Sequence, residues 1–284
     1  MTQADPLETL RQRTSSKWTS NDPDVLPMFV AEMDFPLAPA IQDALRHAIE
    51  IGDSGYVNPR DRSVAEAFGS FAHDRETLAT LSTIVEHHGA TVVSDEIHAP
   101  LVHRGVTFTP YLTVSEAARE HRIAAESGSK AFNLSGLKTA MFVAASERMH
   151  ALIQELPDEV GYRTGLFGFL ATRAGFERSR DWLDSTLETI EGKFSLLREL
   201  LDERIPQIGM HRAEASYLTW LDLRALGWGD NPSKHALTHG RLALSKGSAF
   251  GKEGAGFARM NLACAPETVE DAVERIVRAT EHGG

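Results

Sequence analysis

Two short apolar segments, each breaking off into residues with reactive side chains, constrain this chain more than anything else in it. The first, residues 90–96 (ATVVSDE), is apolar until Ser94-Asp95-Glu96. It reads as a buried parallel strand, and open α/β sheets carry their chemistry at the C-terminal ends of such strands. The second, 122–126, opens into Ser127-Gly128-Ser129-Lys130, two hydroxyls and a flexible glycine ahead of a lysine. Between them Thr113-x-x-Glu116 has the form of a capping box. It opens a helix over 115–120 that returns the chain to the second strand, making one βαβ crossover.

A lysine so placed can form a Schiff base and the hydroxyls can bind a phosphate. An aspartate ending the upstream strand can hold a protonated ring nitrogen. Together Lys130, Ser127, Ser129 and Asp95 meet the needs of pyridoxal phosphate. The competing reading is a surface lysine in a polar loop, the common fate of any one lysine, and the aspartate strand weighs against it. His98 and His103 lie just beyond Asp95, but their spacing fits no standard zinc pattern, so no metal is assigned.

With 284 residues, 42% of them hydrophobic, the chain has material for one large domain or two small ones. A net charge of −11 without a long basic run leaves no electrostatic footprint for nucleic acid. No apolar run is long enough to span a bilayer, and the polar, acidic N-terminus is unlike a signal peptide, so the expectation is cytoplasmic with no membrane partner. The single cysteine, Cys264, sits in the apolar run MNLACA and reads as a small core residue.

Elsewhere the apolar spacing predicts helices over 38–51, 62–72 and 74–88, the last stopping at Gly89. The glycines of GYRTGLFGFLATRAGF allow close packing or weaken a helix, and close packing is the preferred reading. A long amphipathic helix, 181–204, looks like a connector. Beyond it, SYLTWLDL and GFARMNLAC read as strands of a small α+β domain. Three parts are expected: 1–50, packing with the small domain; 51–180, the large domain; and 181–284, connector and small domain. Arg259, in an otherwise apolar strand, either closes a structural ion pair or binds the carboxylate of a ligand.

Taken together, LPMFVAEMDF, SGYVNPR, VVSDEIHAPLV, SGSKAFNLSGLK, SYLTWLDLRALG and FGKEGAGFARMNLA resemble the cystathionine β-lyase (cysteine-S-conjugate β-lyase) branch of the class I/II aminotransferase-like, fold-type I pyridoxal-phosphate enzymes. The resemblance implies an α/β large domain with a smaller α+β domain, pyridoxal 5′-phosphate, an amino-acid substrate and a homodimer. It also implies Lys130 as the Schiff-base lysine, Asp95 on the pyridine nitrogen and His98 near the ring's phenolic oxygen. Ser127 and Ser129 fall at the phosphate, Tyr56 at the neighbouring subunit's cofactor, and Arg259 at the substrate α-carboxylate. The implied reaction is β-elimination from cystathionine or another S-substituted cysteine. Transamination on the same scaffold and a non-catalytic remnant are the alternatives. One departure is large: near residue 72 the chain lacks a stretch that in the family holds four sheet strands, the glycine-rich phosphate turn, the ring-stacking aromatic and an Asn-Pro-x-Gly segment. About three core strands of the large domain remain, with unpaired edges.

Overall fold

A computed structural model describes residues 2–53, 75–211 and 213–282; Tyr56 and the helix expected over 62–72 lie outside these. The chain forms two compact units. One is Leu37–Asp184, and the other joins both ends of the chain, Met1–Pro36 with Ser185–Gly284.

The N-terminal segment contributes α1 (Leu7–Leu10), α2 (Ser16–Thr19) and the two-residue β1 (Leu26–Pro27). It is fixed by a buried ion pair, Lys17 Nζ to Asp34 Oδ1 at 2.7 Å, each side chain 2% exposed.

The middle unit opens with α3 (Pro39–Glu50), started by proline at its first turn and turned off at Gly52, whose φ is +68°. In α4 (Glu76–His87), Ser82 and Val85 are buried, whereas Leu81 and Ile84 of the same apolar stripe are exposed. β2 (Val92–Asp95) follows. The capping residue of α5 (Glu116–His121) is Ser115, not Thr113 as the sequence suggests: Ser115 Oγ accepts the Ala118 N–H at 2.9 Å. Tyr111–Thr113 is already a 3-10 turn, and Thr113 gives its hydroxyl proton to the Pro110 carbonyl. Ser115, in extended geometry, is therefore the residue placed to cap.

β3 (Arg122–Glu126) runs parallel to β2 and antiparallel to β4 (Met141–Ala144), in the order β2-β3-β4. This is the three-strand remainder expected of the large domain. The expectation of a buried β2 fails, because burial alternates along it and Val93 is 65% exposed. Val93 is in register with Ile123, and Phe142 with Ala125 two residues further on, so Val93 and Phe142 share one sheet face. Phe142 is 50% exposed. An apolar strand becomes a buried one only when both of its faces are covered, and this face is not.

The unit continues with α6 (Glu147–Gln154), capped by Ser146, then α7 (Asp158–Tyr162) and α8 (Leu166–Arg178). α9 (Arg180–Arg204) buries Leu187, Ile190, Phe194, Leu197 and Leu201 at helical spacing. In the terminal unit come β5 (Gly209–Met210), β6 (Leu218–Asp222), α10 (Pro232–Gly240), β7 (Leu242–Ala243), β8 (Ser245–Lys246), β9 (Phe257–Asn261) and α11 (Pro266–Thr280). The antiparallel sheet has the order β5-β6-β9-β8, while β7 pairs with β1 in parallel. Asn261 ties the two chain ends together: its Nδ2 donates to the Val30 and Glu32 carbonyls at 2.6 and 2.8 Å. α11 lays Val269, Ala272, Val273, Ile276 and Ala279 into the core. Cys264 is 2% exposed, and burial pushes its thiol up to about 12.

Candidate active site

Asp95 ends β2 in register with Ala125 of β3, and β3 passes one residue later into the loop that carries Lys130. The aspartate and the lysine therefore emerge at the same edge of a hydrogen-bonded parallel pair, where strand C-termini place chemistry. Asp95 is exposed and its Oδ1 accepts the Ile97 N–H at 3.2 Å. Lys130 is half-buried, in a turn closed by the Phe132 N–H to the Gly128 carbonyl and the Leu134 N–H to the Ser129 carbonyl, both at 3.0 Å. His98 is also half-buried, at the start of a 3-10 turn beyond β2.

The serines of this loop divide their work. Ser127 is buried and gives its one proton to the Thr139 carbonyl at 2.6 Å. Its oxygen accepts the Ser129 N–H at 3.0 Å and faces Ser129 Oγ at 2.6 Å. With the Ser127 proton committed, Ser129 is the donor in that contact. Ser127 is thus a brace within the loop, and Ser129, half-buried, is the one that could turn its proton from Ser127 to an incoming oxyanion.

The loop rests on α8. A Cβ built on Gly168 would lie 1.9 Å from Thr139 Oγ1, and one on Gly175 would lie 2.7 Å from Phe132 Cδ2. These glycines, two turns apart, let the helix approach the loop, as the preferred sequence reading held. Phe132 then packs edge-on against Phe176, with ring centroids 5.2 Å apart.

Next to the loop lies a cluster of buried ionisable groups that the sequence did not single out. Arg122, Glu96 and Glu126 are 0%, 7% and 2% exposed. Glu96 Oε1 accepts from Ser94 Oγ at 3.0 Å, from the Tyr111 N–H at 3.1 Å, and from Arg122 Nη2. Burial, then the hydrogen bond to Glu96 and its charge, push the Glu126 carboxyl up to about 9, with Arg122 opposing. Burial likewise lowers the Arg122 guanidinium. Glu126 is accordingly protonated at neutral pH, and Arg122 pairs with Glu96. A charged pair at the two ends of RIAAE was the available signal.

Arg259, in the terminal unit, forms no ion pair among the described residues. Its Nη2 donates to Ser245 Oγ at 3.4 Å, its Cζ lies 4.5 Å from the centre of the Phe250 ring, and its buried Nε has no acceptor among them. Of the two sequence readings, a structural ion pair therefore loses its ground. Burial lowers the guanidinium, partly offset by Tyr217.

The residues present suit the amine-binding and ring-nitrogen contacts of pyridoxal 5′-phosphate: a half-buried lysine, and a carboxylate whose second oxygen has no partner among the described residues. On the phosphate side the fit rests on Ser129.

A family model, "Aminotransferase class I and II", matches residues 70–276. A Mycobacterium tuberculosis protein provisionally named a cystathionine beta-lyase is 31% identical over 397 positions, covering 96% of each chain. That alignment is longer than this chain of 284 residues, so part of the relative has no counterpart here. Cystathionine beta-lyase PatB of Bacillus subtilis is 31% identical over 72% of this chain and 54% of its own. Among solved structures, the pyridoxal-phosphate-bound C–S lyase from Staphylococcus hominis superposes with a TM-score of 0.82 at 18% identity, covering 95% and 96% of the two chains.

Proposed function

The chain belongs to the class I and II aminotransferase family, and we propose that Lys130, Asp95 and Arg259 are the residues with which it performs carbon–sulfur bond cleavage. It is a pyridoxal-phosphate-dependent C–S β-lyase, converting cystathionine or other S-substituted cysteines to a thiol, pyruvate and ammonia. When bound, pyridoxal 5′-phosphate supplies the electron sink for the pair released from the substrate's Cα–H bond.

Lys130 Nζ would hold the cofactor by its aldehyde carbon. As a neutral amine it then removes the Cα proton. The Asp95 carboxylate keeps a proton on the pyridine nitrogen, because a neighbouring negative charge favours the protonated ring. Arg259 takes the substrate α-carboxylate along its guanidinium edge. In the same reading His98 would serve the phenolic oxygen and Ser129 the phosphate, with Ser127 bracing it, and Tyr56 is assigned to the cofactor of a second copy in a homodimer. A cytoplasmic setting belongs to the same reading.

The observation that carries it is the emergence of Asp95 and Lys130 from adjacent parallel strands at one sheet edge. The test is absorbance of the protein after incubation with the cofactor and desalting: a yellow band in the wild type that Lys130→Ala abolishes. A band that survives Lys130→Ala removes that residue from the role, and a colourless wild type favours the non-catalytic remnant. Pyruvate released from cystathionine, with no pyridoxamine phosphate formed, separates lysis from transamination.

A further inference from the structure

We propose that Phe250 is a positioning residue for Arg259, holding the guanidinium plane so that its edge meets the α-carboxylate of an amino-acid substrate. This rests on the assignment of Arg259 given above and adds to it the residue that fixes its orientation. A guanidinium carries five N–H donors in one plane, and a ring against its face uses none of them. The Arg259 Cζ lies over the Phe250 ring, 4.5 Å from its centroid. Among the described residues the polar partner of the Arg259 side chain is Ser245 Oγ, itself oriented by donating to the Phe29 carbonyl at 2.7 Å. Ring and hydroxyl together set the plane and leave an N–H edge for a planar anion, the geometry of a two-bonded carboxylate.

Phe250 is itself braced. It ends the 3-10 turn Gly247–Phe250. That turn is pressed so closely to Gly254 that a Cβ on Gly247 would lie 2.3 Å from the Gly254 carbonyl oxygen. Its ring meets Trp220 edge-on at 5.7 Å, and Trp220 pairs with Arg259 across β6 and β9. Trp220 in turn stacks on Phe257 at 5.8 Å. Phe250 is nevertheless 54% exposed, so replacing it leaves the core of the unit intact.

The experiment compares Phe250→Leu, Phe250→Tyr and Arg259→Lys with the wild type in the full-length, cofactor-treated protein. The probe is glycine, which has the α-carboxylate and no β-leaving group, titrated by tryptophan fluorescence, with kcat and KM for L-cystathionine measured alongside. Phe250→Leu should weaken glycine binding and raise KM by roughly two- to fivefold, the size of an exposed cation–π contact, with kcat unchanged. Phe250→Tyr, which keeps the ring, should restore both. Wild-type glycine affinity in Phe250→Leu, with Arg259→Lys weakened, overturns the role of Phe250 and leaves that of Arg259 standing. Unchanged binding in Arg259→Lys, or none in the wild type, overturns both.

Discussion

Glu126→Gln should make this protein more stable at neutral pH, because it replaces a buried ionisable group with a neutral one of the same shape. Glu126 is 2% exposed and its carboxyl is pushed from an ordinary 4.5 to about 9. In the unfolded chain an ordinary glutamate is ionised at pH 7, whereas the folded protein must keep this one protonated. Raised folded pKa means stability that is complete below 4.5 and lost progressively as pH climbs to about 9. By pH 7 the loss covers about 2.5 pH units at about 1.36 kcal/mol each, or about 3 kcal/mol. Glutamine has the same shape, can still donate to Glu96 and has no proton to gain. Urea unfolding followed by circular dichroism at pH 5, 7 and 9 reads the effect: the two proteins should be similar near pH 5, with the variant pulling ahead by pH 7. A difference that does not change with pH, or a variant weaker at pH 9, would show that Glu126 is ionised and paired with Arg122, and the argument would fail.

Three further expectations concern packing and burial. Gly175→Ala should lower the melting temperature, since its Cβ would sit 2.7 Å from Phe132, at a cost of about 1–3 kcal/mol typical of overpacking. Gly136→Ala, with nothing within 4 Å, is the matched control and should not move it. Lys17→Met strands the buried Asp34 carboxylate, whose pKa burial already raises against the pull of Lys17. It should cost about 3–5 kcal/mol in denaturant unfolding, largely recovered in Lys17→Met/Asp34→Leu. Cys264, buried with its thiol up to about 12, should stay silent to a thiol reagent in the native protein and react once the protein unfolds.

What the sequence made legible was whatever depends on near neighbours. The polar ends of VVSDE and RIAAESGSK marked Asp95 and Lys130 because reactive side chains after neighbouring parallel strands share one sheet edge, and the strand pairing agrees. The glycines of α8 were readable as a close approach, but their partners, Thr139 and Phe132, were not. Phe250 and Arg259 stand nine positions apart in sequence and meet only because a folded-back turn intervenes. Arg122 and Glu126 look like ordinary charged strand ends, and only three-dimensional burial groups them with Glu96 and raises the Glu126 carboxyl. β2 departs from its sequence for a related reason: its composition fits a covered strand, while coverage depends on chain that packs over it.

The Asn261 clamp bears on how the chain comes off the ribosome. Its carboxamide grips residues 30 and 32 from a position near the opposite end, and the unit it closes is made from both termini. During synthesis the first residues emerge long before their partners exist, whereas the middle unit is complete as soon as residue 184 is out. The nascent N-terminal segment would therefore lack these partners until residue 261 has been made, well after the middle unit can fold. A chain stalled before Asn261 would carry a finished middle and an open beginning, which is the form a quality-control protease would meet.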